Sequence, residues 1–183
     1  ITLAIVSTGI LYFVRVLLGL DERFGSLVLI IMILLSFLFY PVVYKIAVLY
    51  GKKKLIIISF FTFALVFLIV SFFGRMNIHP RIQLYAVSVI SAFPVAVLGI
   101  LPYSLVAEIA EEDARRTNQK TEGMYFAIRT FVDKLGQTIG MMIFAGLTIF
   151  GKNPGDDLWI MISAWVGFAS CFLAALSFMK FRE

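Results

Sequence analysis

The sequence predicts an all-α membrane protein built as a bundle of six transmembrane helices. Three observations predict it. Hydrophobic residues make up 61% of the 183 positions and charged residues only 15%, against about 25% in soluble domains. The apolar runs reach the ~20 residues that a helix needs to cross a bilayer, about twice the ~9–11 of a barrel strand. Short connections carrying charges, Gly and Pro separate the runs. In lipid only helices or closed barrels satisfy every backbone polar group, and the run length selects helices.

The first run, Ile1–Leu20, ends at Asp21-Glu22-Arg23. It opens without a Met, a basic leader or a small-residue cleavage site, so a secretory signal is not expected and the chain reads as part of a longer protein. The second run is Ser26–Tyr44, closed by Lys45 and by Gly51-Lys52-Lys53-Lys54. The third, Leu55–Phe73, stops at Gly74-Arg75 and is followed by His79-Pro80-Arg81. His79 is the only histidine, and a metal site cannot be built from it alone.

The fourth run, Ile82–Ala107, holds Pro94, Gly99 and Pro102. Proline removes a ladder hydrogen bond and permits a bend, which a membrane helix tolerates where neighbours re-satisfy the freed carbonyl. The stretch Glu108–Glu122 mixes five acids with three bases and reads as a solvated connection. The fifth run is Gly123–Phe150 and the sixth Leu158–Met179, with the single cysteine, Cys171, inside the sixth as a small buried apolar residue. The fourth and fifth runs, about 40 Å long at 1.5 Å per residue, exceed the ~30 Å hydrocarbon core and are expected to extend beyond it or tilt.

Basic residues set the orientation. Loops 45–54 and 108–122 with the C-terminus carry nine Lys and Arg, and the opposite ends carry four: Arg23, Arg75, Arg81 and Lys152. The positive-inside rule then puts the first set, and with six spans both termini, in the cytoplasm. The net charge of +5 therefore reads as loop charge, and nucleic acid is not an expected partner. The lipid bilayer is.

The fifth run holds the costly residue. Lys134 falls within an apolar segment whose other charges are Arg129 and Asp133, and a lysine near the bilayer centre costs about 2.5–3.5 kcal/mol on insertion scales. At 100° per residue, Thr130, Lys134, Gln137, Thr138, Met141 and Ala145 fall along one line, a polar stripe on an apolar cylinder. Arg129 and Asp133, four apart, form an intrahelical pair on another face. Gly136 and Gly140 make a G-x-x-x-G for close helix approach, also turned away from the stripe. The stripe reads as cavity-lining or coupling. The plain alternative is a lysine paired within the bundle or snorkelling to the interface. Phosphate loops, zinc spacings and nucleophile–base sets are absent from the sequence, so an enzyme is not expected. Neither a metal site nor a covalently bound cofactor is expected.

The motifs resemble a known family. Pro102–Glu108 reads P-Y-S-L-V-A-E, and Glu122–Gly140 reads E-G-M-Y-F-A-I-R-T-F-V-D-K-L-G-Q-T-I-G after a charged stretch. This is similar to the glycoside–pentoside–hexuronide:cation symporters, typified by melibiose permease, of the major facilitator superfamily. Leu17–Glu22 (L-L-G-L-D-E) looks like the outer end of the seventh helix there, and Pro41–Lys54 like the basic loop between helices eight and nine.

The resemblance implies that the six spans correspond to helices 7–12, the C-terminal half of a twelve-helix carrier whose N-terminal half is the partner. It implies cation-coupled sugar symport by alternating access in a bacterial inner membrane, with Na⁺ or H⁺ held mainly by the absent half. Lys134 matches the family lysine near the sugar and cation sites, with Thr130, Gln137 and Thr138 beside it. Glu108, Glu111 and Glu122 match acidic positions linked to conformational change. Arg129 and Asp133 complete the local charge network without an implied role. The stretch E-E-D-A-R-R-T-N departs from the common D-Y-x-E-x-K-T-G. Two alternatives stand beside this reading: the same fold carrying a lysophospholipid or other amphiphile, and a non-transporting six-helix membrane module.

Overall fold

A computed structural model of the chain describes residues 22–72, 79–119, 121–149 and 157–180, together with Gly9 and Val14. Those residues form five helices: α1 (Glu22–Tyr50), α2 (Lys52–Ser71), α3 (Pro80–Thr117), α4 (Glu122–Ile149) and α5 (Asp157–Lys180). The expected first span, 1–20, lies outside the described residues apart from Gly9 and Val14, both buried. So do the connections 74–78 and 151–155, with Lys120 and Arg182.

α2 packs most extensively on α5, and α3 on α1 and α2; α4 lies against α3 and α5. The packing follows membrane rules. Many residues at the helix contacts are small: Ser59, Ser88, Ser91, Ala92, Ala96, Ser163, Ala164, Gly167 and Ala175 are buried. Large apolar side chains such as Leu34, Phe37, Leu38, Leu49 and Leu173 point outward. Lipid is as apolar as leucine, so helices associate through close backbone approach rather than by hiding bulk. Buried Ser36, Ser59, Ser71 and Ser88 return their hydroxyls to carbonyls of their own helix, Ser59 and Ser88 to those of Leu55 and Leu84 at 2.9 and 2.8 Å.

Two buried clusters stack along the bundle. One joins Val28, Phe63, Phe67, Leu84, Phe144 and Ala164, and Val14 inserts into it. The other joins Val43, Ala47, Ile56, Ala96, Val97 and Leu101 near the α1–α2 turn. That turn is a single residue. Gly51, at φ 87°, donates its N–H to the Ala47 carbonyl at 3.0 Å and ends α1 while preceding α2. Left-handed backbone favours glycine there. At the start of α3, Pro80 occupies the first turn and the His79 side chain accepts from the Arg81 N–H, so the lone histidine is a helix cap.

Two helices outrun their expected bounds. α1 runs from residue 22 to 50, well beyond 26–44, because Lys45 lies within the helix and does not close it. α3 continues ten residues past the expected end at Ala107, and spans 38 residues, or about 57 Å. The stretch Glu108–Glu122 is therefore no loop. Glu111–Arg115 and Glu112–Arg116 are i,i+4 ion pairs at 2.7 and 2.9 Å, the acid-first order that supports an exposed helix, and Arg115 and Arg116 favour its C-terminal dipole. Asn118, left-handed at φ 56°, caps it, a position Asn tolerates. Only Asn118–Thr121 connects α3 to α4.

Finally, α1, α2, α3 and α5 are long and apolar enough to cross a membrane. α4, at 28 residues, is long enough but falls outside that set. Arg129, Asp133, Lys134 and Gln137 in its middle dilute its apolar character.

Candidate functional site

Two arrangements of charged residues stand out. The first lies at the end of the bundle that gathers the α1–α2 turn, the far end of α3 and the start of α4. Three successive lysines open α2, with no acid in its first turn, although the positive end of a helix dipole disfavours cations. The Lys52 ammonium offsets this by reaching across to α3, where it pairs with Glu108 and donates to Ser104 Oγ. Beside this pair lies a cavity of about 600 Å³ lined by Lys52, Glu108, Glu112, Asp113, Arg116 and Tyr125. Asp113 accepts from Thr121 Oγ1 at 3.0 Å, which ties the connection back onto α3.

Of the expected charge network, Glu108 is thus joined to α2, and Glu111 to its own helix through Arg115. Glu122 stands exposed in the first turn of α4, where an acid suits the dipole. The three acids are not brought together as one cluster.

The second arrangement is on α4. Lys134, Thr130 and Thr138 are exposed, and Gln137 is half-buried. No carboxylate among the described residues pairs with Lys134. Thr138 Oγ1 donates to the Lys134 carbonyl at 2.9 Å, which satisfies the hydroxyl within the helix. The opposite flank packs: Gly140 and Phe144 are buried and Gly136 is half-buried. The stripe and the glycine face are therefore separate, as the helical spacing predicts.

Arg129 and Asp133 pair as the spacing suggests, Nη1 to Oδ2 at 3.2 Å. Arg129 also does more. Its guanidinium lies 3.4 Å from the centre of the Tyr103 ring on α3, and only 15% of its side chain is exposed. Nη1 meets Asp133 as an ion pair but makes no hydrogen bond of good geometry. Sequence reasoning missed Tyr103, Ser104 and Lys52. Lys52 was visible only as one of a basic triplet, and Tyr103 only as a letter in a motif. Neither residue lies within one helix's spacing of its partner.

The profile of the MFS/sugar transport protein family matches residues 1–179. An uncharacterized symporter of Synechocystis sp. is 24% identical over 80 residues, 41% of this chain and 14% of that protein. The chain thus aligns with a small part of the length of that curated relative. No solved structure is a significant match. The family is one of transporters, not enzymes. With helices of membrane-spanning length and apolarity matched across nearly the whole sequence, the chain belongs to the MFS/sugar transport protein family.

Proposed function

We propose that this chain is the C-terminal six-helix half, residues 1–183, of a cation-coupled sugar symporter that works by alternating access. The observation that supports it most is α4. It carries an exposed Lys134 with no carboxylate partner among the described residues, flanked by Thr130, Gln137 and Thr138, on a long helix whose middle also holds Arg129 and Asp133. A helix of this kind in a transporter family belongs against a polar cavity or a second protein half.

In this reading Lys134 acts electrostatically. Its charge balances carboxylates of the N-terminal half, and binding of Na⁺ or H⁺ there changes that balance. Occupancy of the cation site and of the sugar site become linked, as any pair of sites must be when each favours the same state. Glu108, held by Lys52 on α2, joins the cytoplasmic end of α3 to the bundle in one of the two states. The basic ends, Lys45, Lys52–Lys54, Arg115, Arg116 and Lys180, sit in the cytoplasm of a bacterial inner membrane.

Purified full-length carrier in proteoliposomes tests this reading. Lys134→Leu is expected to lower cation-driven sugar uptake by about tenfold or more, since a lost charge interaction of ~1.4 kcal/mol is already tenfold, while folding is retained. Unchanged uptake overturns the role of Lys134. Cation-driven counterflow of a lysophospholipid in place of sugars would replace the cargo, and absence of any counterflow would favour the non-transporting module.

A further inference from the structure

The contact between Tyr103 and Arg129 links the proline-bearing helix to the helix that carries Lys134. We infer that Tyr103 and Arg129 are positioning residues: their stack fixes the rotation of α4, so that Lys134, rather than the face of Gly136 and Gly140, faces away from the bundle. The inference concerns where Lys134 points. It stands whether or not Lys134 couples a cation.

The geometry carries it as follows. Arg129 and Lys134 are five residues apart, about 140° around the helix, so a helix rotation that frees one tends to bury the other. Arg129 is mostly covered, whereas Lys134 is exposed. The cover comes from Tyr103, whose ring centre is 3.4 Å from the guanidinium carbon, and from Asp133 on the same helix. A planar guanidinium on an aromatic face is oriented as well as attracted. It therefore resists rotation where an aliphatic contact would slide. α4 otherwise meets the bundle chiefly through Phe144 near its far end and Tyr125 near its start, whose hydroxyl bonds the Asp113 carboxylate of α3. The stack is its fixed point between the two.

The fixed point lies directly after a proline. Pro102 precedes Tyr103, and Ser104 and Glu108 just beyond are held by Lys52 of α2. One short segment of α3 is gripped by cations from both neighbours, Lys52 on one side and Arg129 on the other. Pro94 and Pro102 leave the Ile90 and Leu98 carbonyls without their ladder donors. Bending between those prolines would carry the gripped segment, and through Arg129 the facing of α4.

Thiol labelling in the full-length carrier tests the inference. Lys134→Cys and Gly136→Cys, about 160° apart around the helix with Gly136 half-buried, are reacted with a membrane-impermeant maleimide and quantified on their own peptides. The labelling ratio of position 134 to position 136 is expected to fall by about fivefold or more in Tyr103→Leu and in Arg129→Gln, and to stay unchanged in Tyr103→Phe, which keeps the ring face. Arg129→Lys, which keeps charge without the planar stack, should fall between. Ratios within twofold of the parent in both Tyr103→Leu and Arg129→Gln overturn the inference. If either fails to fold by size exclusion, the Tyr103→Phe and Arg129→Lys pair decides: equal ratios in those two also overturn it. Because labelling needs no transport, failure here is distinct from failure of the proposed coupling role.

Discussion

A single hydrogen atom is all that Gly167 places against its neighbouring helix. At Gly167 on α5, an added Cβ would lie 2.5–2.8 Å from ring atoms of Phe67, and Phe67 is itself fully buried against Phe63. Neither partner has room to yield, because α2 and α5 form the most extensive contact of the fold. Gly167→Ala is expected to destabilise the carrier by about 1–3 kcal/mol, the usual cost of overpacking, seen as a lower unfolding temperature in detergent. Gly146→Ala is the matched control. Nothing lies within 4 Å of a Cβ there, so it should be neutral or slightly stabilising as a helix-interior Gly→Ala change. Equal effects at both sites would show that helix propensity, rather than contact, governs the result. The glycine reading from sequence concerned Gly136 and Gly140, which spacing alone relates. Gly167 was not legible, since nothing in the letters around it reveals that Phe67 of another helix fills the space.

At the level of elements, the sequence located α2 and α5 to within a few residues because both are uniformly apolar and bounded by charges or turn residues. It misplaced the end of α3 because charge density was read as solvent-exposed connection. The same letters contain Glu111–Arg115 and Glu112–Arg116 at helical spacing, and that was the available signal. α4 was correctly identified as a helix, and its polar stripe and glycine face separate as predicted. Its contact with Tyr103, like the pairing of Lys52 with Glu108, depends on tertiary approach between segments far apart in sequence. Periodicity cannot supply that. The polarity of α4 has a measurable consequence. Residues 122–149 placed in a membrane-insertion reporter should insert poorly, and Lys134→Leu should shift insertion by about 3 kcal/mol on the biological scale, to near completion. Efficient insertion of the unaltered segment would mean that α4 needs no polar neighbour.

The whole molecule is organised by the sign of its two ends. α1 finishes, α2 begins, and α3 and α5 finish at the same end, which gathers Lys45, Lys52, Lys53, Lys54, Arg115, Arg116 and Lys180. Phe60 in the first half of α2 meets Phe178 near the end of α5, ring centres 6.4 Å apart, so the end of α5 lies on the half of α2 that its lysines open. Arg23 and Arg81 mark the other end. The asymmetry is smaller than the count of basic residues alone suggests. The part of α3 beyond Ala107 projects at the basic end, and its arginines are matched by Glu111 and Glu112 rather than left to seek lipid phosphate. Orientation then rests chiefly on the lysines at the α1–α2 turn, closest to the spans. In a bacterial host, alkaline phosphatase fused after residue 119 of the full-length protein should be inactive, and fused after residue 76 it should be active, because the enzyme folds only outside the cytoplasm. Replacing Lys53 and Lys54 together with Gln should reduce that contrast, while Arg115→Gln with Arg116→Gln should leave it unchanged. Activity at residue 119 in the unaltered protein would invert the orientation, and the cavity beside Lys52 and Glu108 would then open to the outside.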